Sequence, residues 1–412
     1  MKPRGAILAV LCLAVSWYYA TCLTSVSRMG LRAGAVNDYF QLWNAGRAVL
    51  CHENPYGREV AERDQMFSYG VTARSLNITN DRRLAYPIQA TFPLLILSLL
   101  DFHTADKIAL SLFASMVALS IGWLRRKWDT STATYALLAF SSYPVINALQ
   151  MRQPTLLFFG LIVGSLALLR SGRPIQAAAL AALAAGKPQI AIPVLLPMLV
   201  WTLAGWRERK RFAISLAISL LALTLISFIV VPGWISQWLT CLRSYSQYVH
   251  PSIIIFAFGS KRGAALSVLL VVGLSVALWL HRERDLLFLT AVSAAVFSLI
   301  IQSEIYNMTI LIIPAVWVAD NAERIKDAGT GSQLALSLVR VAFVEFWLAN
   351  ALGATLMHAG RLGQSIAWQM CTAAAFPVLG SLVAVMIVQC LTFHRMQHRQ
   401  AAVAVPHKVQ AI

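Results

Sequence analysis

Long unbroken apolar blocks separated by short polar connectors recur from one end of the chain to the other, LALTLISFIVV among them. Such blocks show neither the alternation of strands nor the polar face of a soluble amphipathic helix. The pattern therefore predicts a polytopic all-α membrane protein and argues against a β-barrel. A helix needs about 20 apolar residues to cross a hydrocarbon core of roughly 30 Å. On that measure about twelve spans are expected, at 6–24, 107–124, 133–149, 154–170, 174–186, 188–205, 212–231, 262–281, 285–302, 305–320, 335–357 and 369–393.

Three stretches break the rhythm. Residues 25–84 form a long polar loop of mixed charge, expected to hold short helices. Residues 85–100, AYPIQATFPLLILSLL, are apolar but short and contain two prolines, which suits a segment that dips into the membrane. Residues 232–261 are rich in Trp and Tyr and read as an amphipathic helix at the membrane surface, where such rings prefer to sit. The whole is one integral membrane unit: a first helix at 6–24, core helices over 85–231, C-terminal helices over 262–393 and a tail at 394–412.

Composition agrees with the pattern, since 58% of the 412 residues are hydrophobic and 12% charged, more apolar surface than a water-soluble chain could bury. The net charge of +17 could suggest nucleic acid, but the basic residues sit mainly in connectors. With the N-terminus inside, Arg125 to Lys127, Arg170 with Arg173, Arg207 to Arg211, Arg282 with Arg284, and Arg324 with Lys326 all fall on the inner face. That is the positive-inside bias of a cell-membrane protein, and it removes nucleic acid as a partner while leaving membrane lipids. The opposite face carries isolated cations, Lys107, Arg152, Lys187 and Arg361. Six cysteines without CxxC pairs point to neither a zinc site nor a disulfide framework. The basic N-terminal start reads as a retained helix rather than a cleaved signal.

Three features on the cation-poor face carry candidate chemistry. Asn37-Asp38-Tyr39 opens the long loop and is followed by Trp43, Arg47 and Asn54-Pro55-Tyr56; Arg152-Gln153-Pro154 tops one span; Gly186-Lys187-Pro188-Gln189 joins two others. Taken singly, Asp38 could cap a helix, Arg152 could snorkel and Lys187 could mark a tight turn. Together they offer a carboxylate and two cations on one face, as a site handling a phosphorylated lipid headgroup would need. Arg82 and Arg83, ahead of Tyr86-Pro87, read as interfacial anchors or as a steering patch for an anion.

These blocks resemble glycosyltransferase family 87, polyprenyl-phosphate-sugar-dependent enzymes of the GT-C fold class. The likeness is carried by DYFQLWNAGRAVLCHENPY, by AYPIQATFPLLILSLL, by the run from Arg152-Gln153 to Lys187-Pro188-Gln189, and by QSEIYNMTILIIP at 302–314. It implies that Asp38 is the catalytic carboxylate, that Lys187 and Gln189 handle the donor phosphate, and that Gln153 lies in the site. Arg152 stands where relatives often have glycine, and Glu304, Tyr306 and Asn307 stand where they often have histidine or aspartate. Trp43 and Tyr56 join Arg152, Glu304, Tyr306 and Asn307 as expected substrate contacts. The implied reaction moves a hexose, with mannose the family's best-known sugar, from a polyprenyl-phosphate donor to a lipid or glycan acceptor outside the cytoplasm. It proceeds with inversion and with no cofactor, and the absence of an Asp-x-Asp motif in the first loop leaves no metal expected. A multi-pass transporter and a lipid-linked oligosaccharide polymerase or ligase stay open as alternatives.

Overall fold

A computed structural model of the chain describes residues 37–76, 81–247, 249, 251–301, 304–359, 378 and 380–389. Among them every extended regular element is helical. The expected span at 6–24 and most of that at 369–393 lie outside the described residues. The long loop contains α1 (Tyr39–Leu50) and α2 (Arg58–Tyr69), followed by a single turn at Ala73–Leu76. A 3₁₀ segment, Ile88–Leu99, leads into α3 (Phe102–Arg125). Then come α4 (Thr130–Phe140), α5 (Tyr143–Gln150), α6 (Thr155–Arg170), α7 (Pro174–Ala184), α8 (Pro188–Ala204) and α9 (Trp206–Val230). Beyond these are α10 (Trp234–Tyr245), α11 (Ile253–Phe258), α12 (Ser260–Leu280) and α13 (Leu286–Ile300). A second 3₁₀ segment, Ile305–Leu311, runs into α14 (Ile312–Asp320), and α15 (Ala322–Asp327) and α16 (Thr330–His358) follow.

Helices α3, α9 and α12 are long and apolar enough to cross a membrane, at 24, 25 and 21 residues. At 1.5 Å per residue each exceeds the roughly 30 Å core. Their outward faces explain why. On α9, Ile214, Ile218, Leu221, Leu225 and Ile229 follow helical spacing and are all exposed, Ile229 at 80%. Val268, Val272, Val276 and Leu280 do the same on α12, and Leu334, Leu338, Val341, Val344 and Leu348 on α16. Continuous apolar stripes of that size have no stable place in water and fit lipid.

The count of twelve spans is where pattern and structure part. Residues 133–149 divide into α4 and α5 at Ser141 and Ser142, whose hydroxyls bond back to Leu138 and Ala139 carbonyls just before Pro144. Residues 305–320 are half 3₁₀ and half α, and α6, α7, α8 and α13 run only 11–17 residues, whereas α16 runs 29. Residues 85–100 form the 12-residue 3₁₀ segment, with Pro93 inside it; at about 2.0 Å per residue it falls short of the core thickness.

Inside the bundle, small residues let helices approach closely. Ser165 of α6 donates to the Ala177 carbonyl of alanine-rich α7 at 2.6 Å. The two ends of the bundle differ in chemistry. At one end Arg125 meets Asp320, and Arg170 bonds the Leu124 carbonyl beside Asp285. The other end gathers the start of α1, the start of α6, the α7–α8 turn and the second 3₁₀ segment.

Candidate active site

Asp38 immediately precedes α1, yet its side chain makes no capping bond. Asn37 does that work instead, its Oδ1 accepting the Phe40 amide at 3.1 Å. The Asp38 backbone amide is held by the Met151 carbonyl at 2.8 Å, and its carboxylate turns into a pocket of about 290 Å³. There Oδ2 accepts Gln153 Nε2 at 2.7 Å, and Oδ1 faces Arg82 Nη1 at 3.3 Å.

Gln153 reaches this position through the way α5 ends. The Gln153 amide bonds the Ala148 carbonyl and the Arg152 amide bonds Leu149, the paired pattern of a Schellman stop, with Arg152 in the left-handed region at φ 51°. Glycine adopts that conformation without a steric cost, whereas the arginine side chain adopts it at one. The Arg152 guanidinium is turned to Asp106 at 3.4 Å and to the Leu149 and Gln150 carbonyls, outside the pocket wall. Arg152→Gly should therefore keep transfer activity within about threefold of the parent and change stability by about 1 kcal/mol or less. Steady-state kinetics with thermal unfolding in detergent checks this; a hundredfold loss would return Arg152 to the substrate.

Lys187 sits at the start of α8 and is 2% exposed. The turn before it packs so tightly that a Cβ on Gly186 would lie 2.9 Å from Ala90 Cα, which fixes the approach of this corner to the first 3₁₀ segment. The Lys187 ammonium donates to Gln153 Oε1 at 2.9 Å, to the Thr155 hydroxyl and to the Tyr86 hydroxyl at 3.4 Å. The Tyr306 ring lies 5.0 Å from it. Among the described residues no carboxylate comes within ion-pair distance of it. Burial pushes the amine down to about 7, against the opposing pull of Asp38 and Glu304. Tyr86, whose burial pushes its phenol well up and keeps it protonated, donates to Gln153 Oε1 at 3.1 Å.

A single amide thus bridges the carboxylate and the cation, Gln153 donating to Asp38 and accepting from Lys187. Gln189, Tyr306 and Asn307 also line the pocket, joined by Gln41, Trp238 and Tyr245. Glu304 is not in the wall, though its charge acts on Lys187. Trp43 packs at a tilt against Phe40 and edge-on against Phe102, and donates to the Leu100 carbonyl. Tyr56 is buried and donates to the Tyr86 carbonyl at 3.1 Å, bracing the wall from behind. Arg82 takes the place in the wall that the sequence pattern offered to Arg152.

Segment 81–86 carries Arg82 and is pinned from several sides. Gln41 Nε2 bonds the Arg82 and Arg83 carbonyls, Gln65 Nε2 bonds Asp81, and Trp238 Nε1 of α10 bonds Ala85 at 2.9 Å. The surface helix α10 therefore closes one side of the pocket, with Leu242 and Tyr245 beside Trp238. Cys51 and Cys241 are free thiols.

A carboxylate able to accept a proton and a buried cation lacking a paired anion, joined in one pocket, can activate a hydroxyl while holding a phosphate. Comparison with known families points the same way. The profile of glycosyltransferase family 87 matches residues 84–303, just over half of the chain, including Tyr86, Gln153, Lys187 and Gln189. Asp38 and Arg82 precede the matched span, and Glu304, Tyr306 and Asn307 follow it. No match was found among curated proteins or among solved structures. The chain is a membrane protein that belongs to glycosyltransferase family 87.

Proposed function

We propose that the enzyme transfers a hexose, with mannose the first candidate, from a polyprenyl-phosphate donor to a hydroxyl of a lipid or glycan acceptor. The carrying observation is the Asp38–Gln153–Lys187 bridge within one pocket. Asp38 takes the proton of the acceptor hydroxyl as its oxygen attacks the anomeric carbon. The bond from that carbon to the phosphate oxygen breaks, and the polyprenyl phosphate departs with the electron pair. Attack opposite the leaving group inverts the anomeric centre. Lys187 opposes the charge that grows on the departing phosphate, and because no anion pairs with it beforehand this interaction is strongest where it assists the reaction. Gln153 keeps the two reacting ends in register, and Gln189, Tyr306 and Asn307 offer polar contacts to the sugar. No protonation of the leaving group is needed, so a second carboxylic acid is dispensable.

A lipid-linked donor is favoured over a soluble sugar nucleotide by what lies behind the pocket. The 3₁₀ segment Ile305–Leu311 gives Tyr306 and Asn307 to the polar pocket, and Met308 and Thr309 to an apolar cavity of about 790 Å³ bounded by α4, α14 and α16. A sugar phosphate on an isoprenoid chain has that same division of polarity. The arginine-rich connectors at the far end of the bundle support a cytoplasmic assignment for that end, and hence a pocket opening outside the cytoplasm of the cell membrane.

The test supplies purified enzyme in lipid vesicles with polyprenyl-phosphate hexoses and, separately, with nucleotide-linked forms of the same sugars. Transfer from the lipid-linked donor alone is expected. Equal or faster transfer from the nucleotide sugar would overturn the donor assignment.

A further inference from the structure

Arg82 stands between two carboxylates. Its Nη1 is 3.3 Å from Asp38 Oδ1, and its Nε is 3.2 Å from Asp64 Oδ1. Asp64 comes from α2, is 1% exposed and takes no part in the pocket wall. The same oxygen also accepts the Ser68 hydroxyl at 3.2 Å. Its neighbour Gln65 holds the Asp81 carbonyl at 2.7 Å, so one turn of α2 grips both the backbone beside Arg82 and its guanidinium. Arg82 itself has φ 52°, a left-handed conformation that a side chain adopts at a cost and that the pinned segment enforces.

A buried carboxylate is an expensive way to brace a loop, because desolvation offsets most of what the ion pair gains. Its chemistry therefore calls for an explanation beyond packing. If Arg82 faced Asp38 alone, the pair would be neutral. Burial pushes the Asp64 carboxyl up, against the opposing pull of Arg82 and the Ser68 hydroxyl; with Asp64 ionised the three groups carry one net negative charge, and the solvent-accessible member is Asp38, its side chain 21% exposed against 2% for Asp64.

We propose that Asp64 is a positioning residue that occupies the charge of Arg82 and thereby leaves Asp38 an effective base. The proposal rests on the reading of Asp38 as general base. Other groups act on the same cluster. Lys187 and Asp38 attract each other, Glu304 acts on Lys187, and Tyr69, Tyr86 and Tyr306 feel the Asp38 charge. Burial holds Tyr69 and Tyr86 protonated, and Lys187, pushed down to about 7, loses its charge on the alkaline side. The acid limb of activity is thus the signature of the Asp38–Arg82–Asp64 cluster, read as one coupled titration.

The experiment is the pH dependence of kcat/KM in lipid vesicles for the parent, Asp64→Asn, Arg82→Gln and the double variant. A general base must be deprotonated, so activity falls as pH drops through its titration. Replacing Asp64 removes a negative charge, and the acid limb should move down by about one pH unit with a several-fold lower plateau. Replacing Arg82 removes a positive charge, and the limb should move up. The double variant has the parent's net charge, and its limb should return to within about half a unit of the parent's. A bracing role alone for Asp64 would lower the plateau of Asp64→Asn and leave its limb where the parent's is. An unmoved limb in Asp64→Asn overturns the proposal. Should that variant fail to fold, a double variant whose limb is no lower than that of Arg82→Gln does the same. Asp38→Asn in the same assay separates the two readings: full activity there removes the base itself, whereas an inactive Asp38→Asn beside an unmoved Asp64→Asn limb removes only the role of Asp64.

Discussion

Asp38→Asn is expected to lower kcat for sugar transfer by about 10³-fold while the protein folds normally and still takes up donor. The amide matches the carboxylate in shape, and its oxygen can still accept from Gln153 or Arg82. Arg82 keeps its second partner in Asp64, so no buried charge is stranded. What disappears is the ability to accept a proton. Because Asn37 rather than Asp38 caps α1, loss of a helix cap does not enter the comparison. Single-turnover transfer with preloaded donor, alongside thermal unfolding in detergent, separates chemistry from folding. A rate within tenfold of the parent would remove Asp38 from the chemistry.

The second large effect is expected at Lys187, and it has two signs. Lys187→Met should cut kcat/KM by about 10²–10³-fold, the scale of losing one preorganised charge contact in a sheltered site. Over the same change the empty protein should become more stable. Burial pushes the amine down to about 7, below its range in an unfolded chain, so the charged form is disfavoured by folding. That penalty is full below pH 7, shrinks as pH rises above it and is absent once the unfolded amine also deprotonates. The gain in unfolding temperature for Lys187→Met should therefore be larger at pH 6 than at pH 9. Donor binding by the parent should weaken as pH rises through about 7, since the protonated amine is the form that meets phosphate. The methionine variant should lack that dependence. A variant that is both less active and less stable at every pH would mark Lys187 as a packing residue.

The helical membrane character was legible in the length of the unbroken apolar blocks, such as the one that carries Ile214 to Ile229, because a run of that length without polar interruption suits a helix crossing lipid. The number of spans was not. Hydropathy does not register the break at Ser141 and Ser142, or the tightening of 305–311 into 3₁₀ geometry, since both are backbone events among apolar residues. The elements of the site were partly visible. Asp38, Gln153 and Lys187 stand out as polar residues bordering apolar blocks, and the structure gathers them in one pocket. Arg152 stood out for the same reason, but its place is set by a left-handed turn that sequence spacing does not reveal. Arg82 meets Asp38 across 44 positions of chain and Asp64 across 18; the sequence offers Arg82 only as an anchor or an anion-steering group, and nothing local signals Asp64. Trp238 and Tyr245 belong to a stretch whose aromatic content reads as membrane anchoring; their approach to the pocket depends on the bond from Trp238 to Ala85, 153 positions away.

The proposed chemistry divides across the Gln153 amide, with Asp38 accepting the proton and Lys187 holding the phosphate. Its most direct test measures equilibrium binding of a polyprenyl-phosphate hexose and its single-turnover transfer, at pH 6.5, by Asp38→Asn and by Lys187→Met in the same vesicles. Asp38→Asn should bind the donor within about threefold of the parent and fail to transfer the sugar, while Lys187→Met should lose donor affinity by tenfold or more. Unchanged donor binding by Lys187→Met, together with transfer by Asp38→Asn at the parent's rate, would contradict the account.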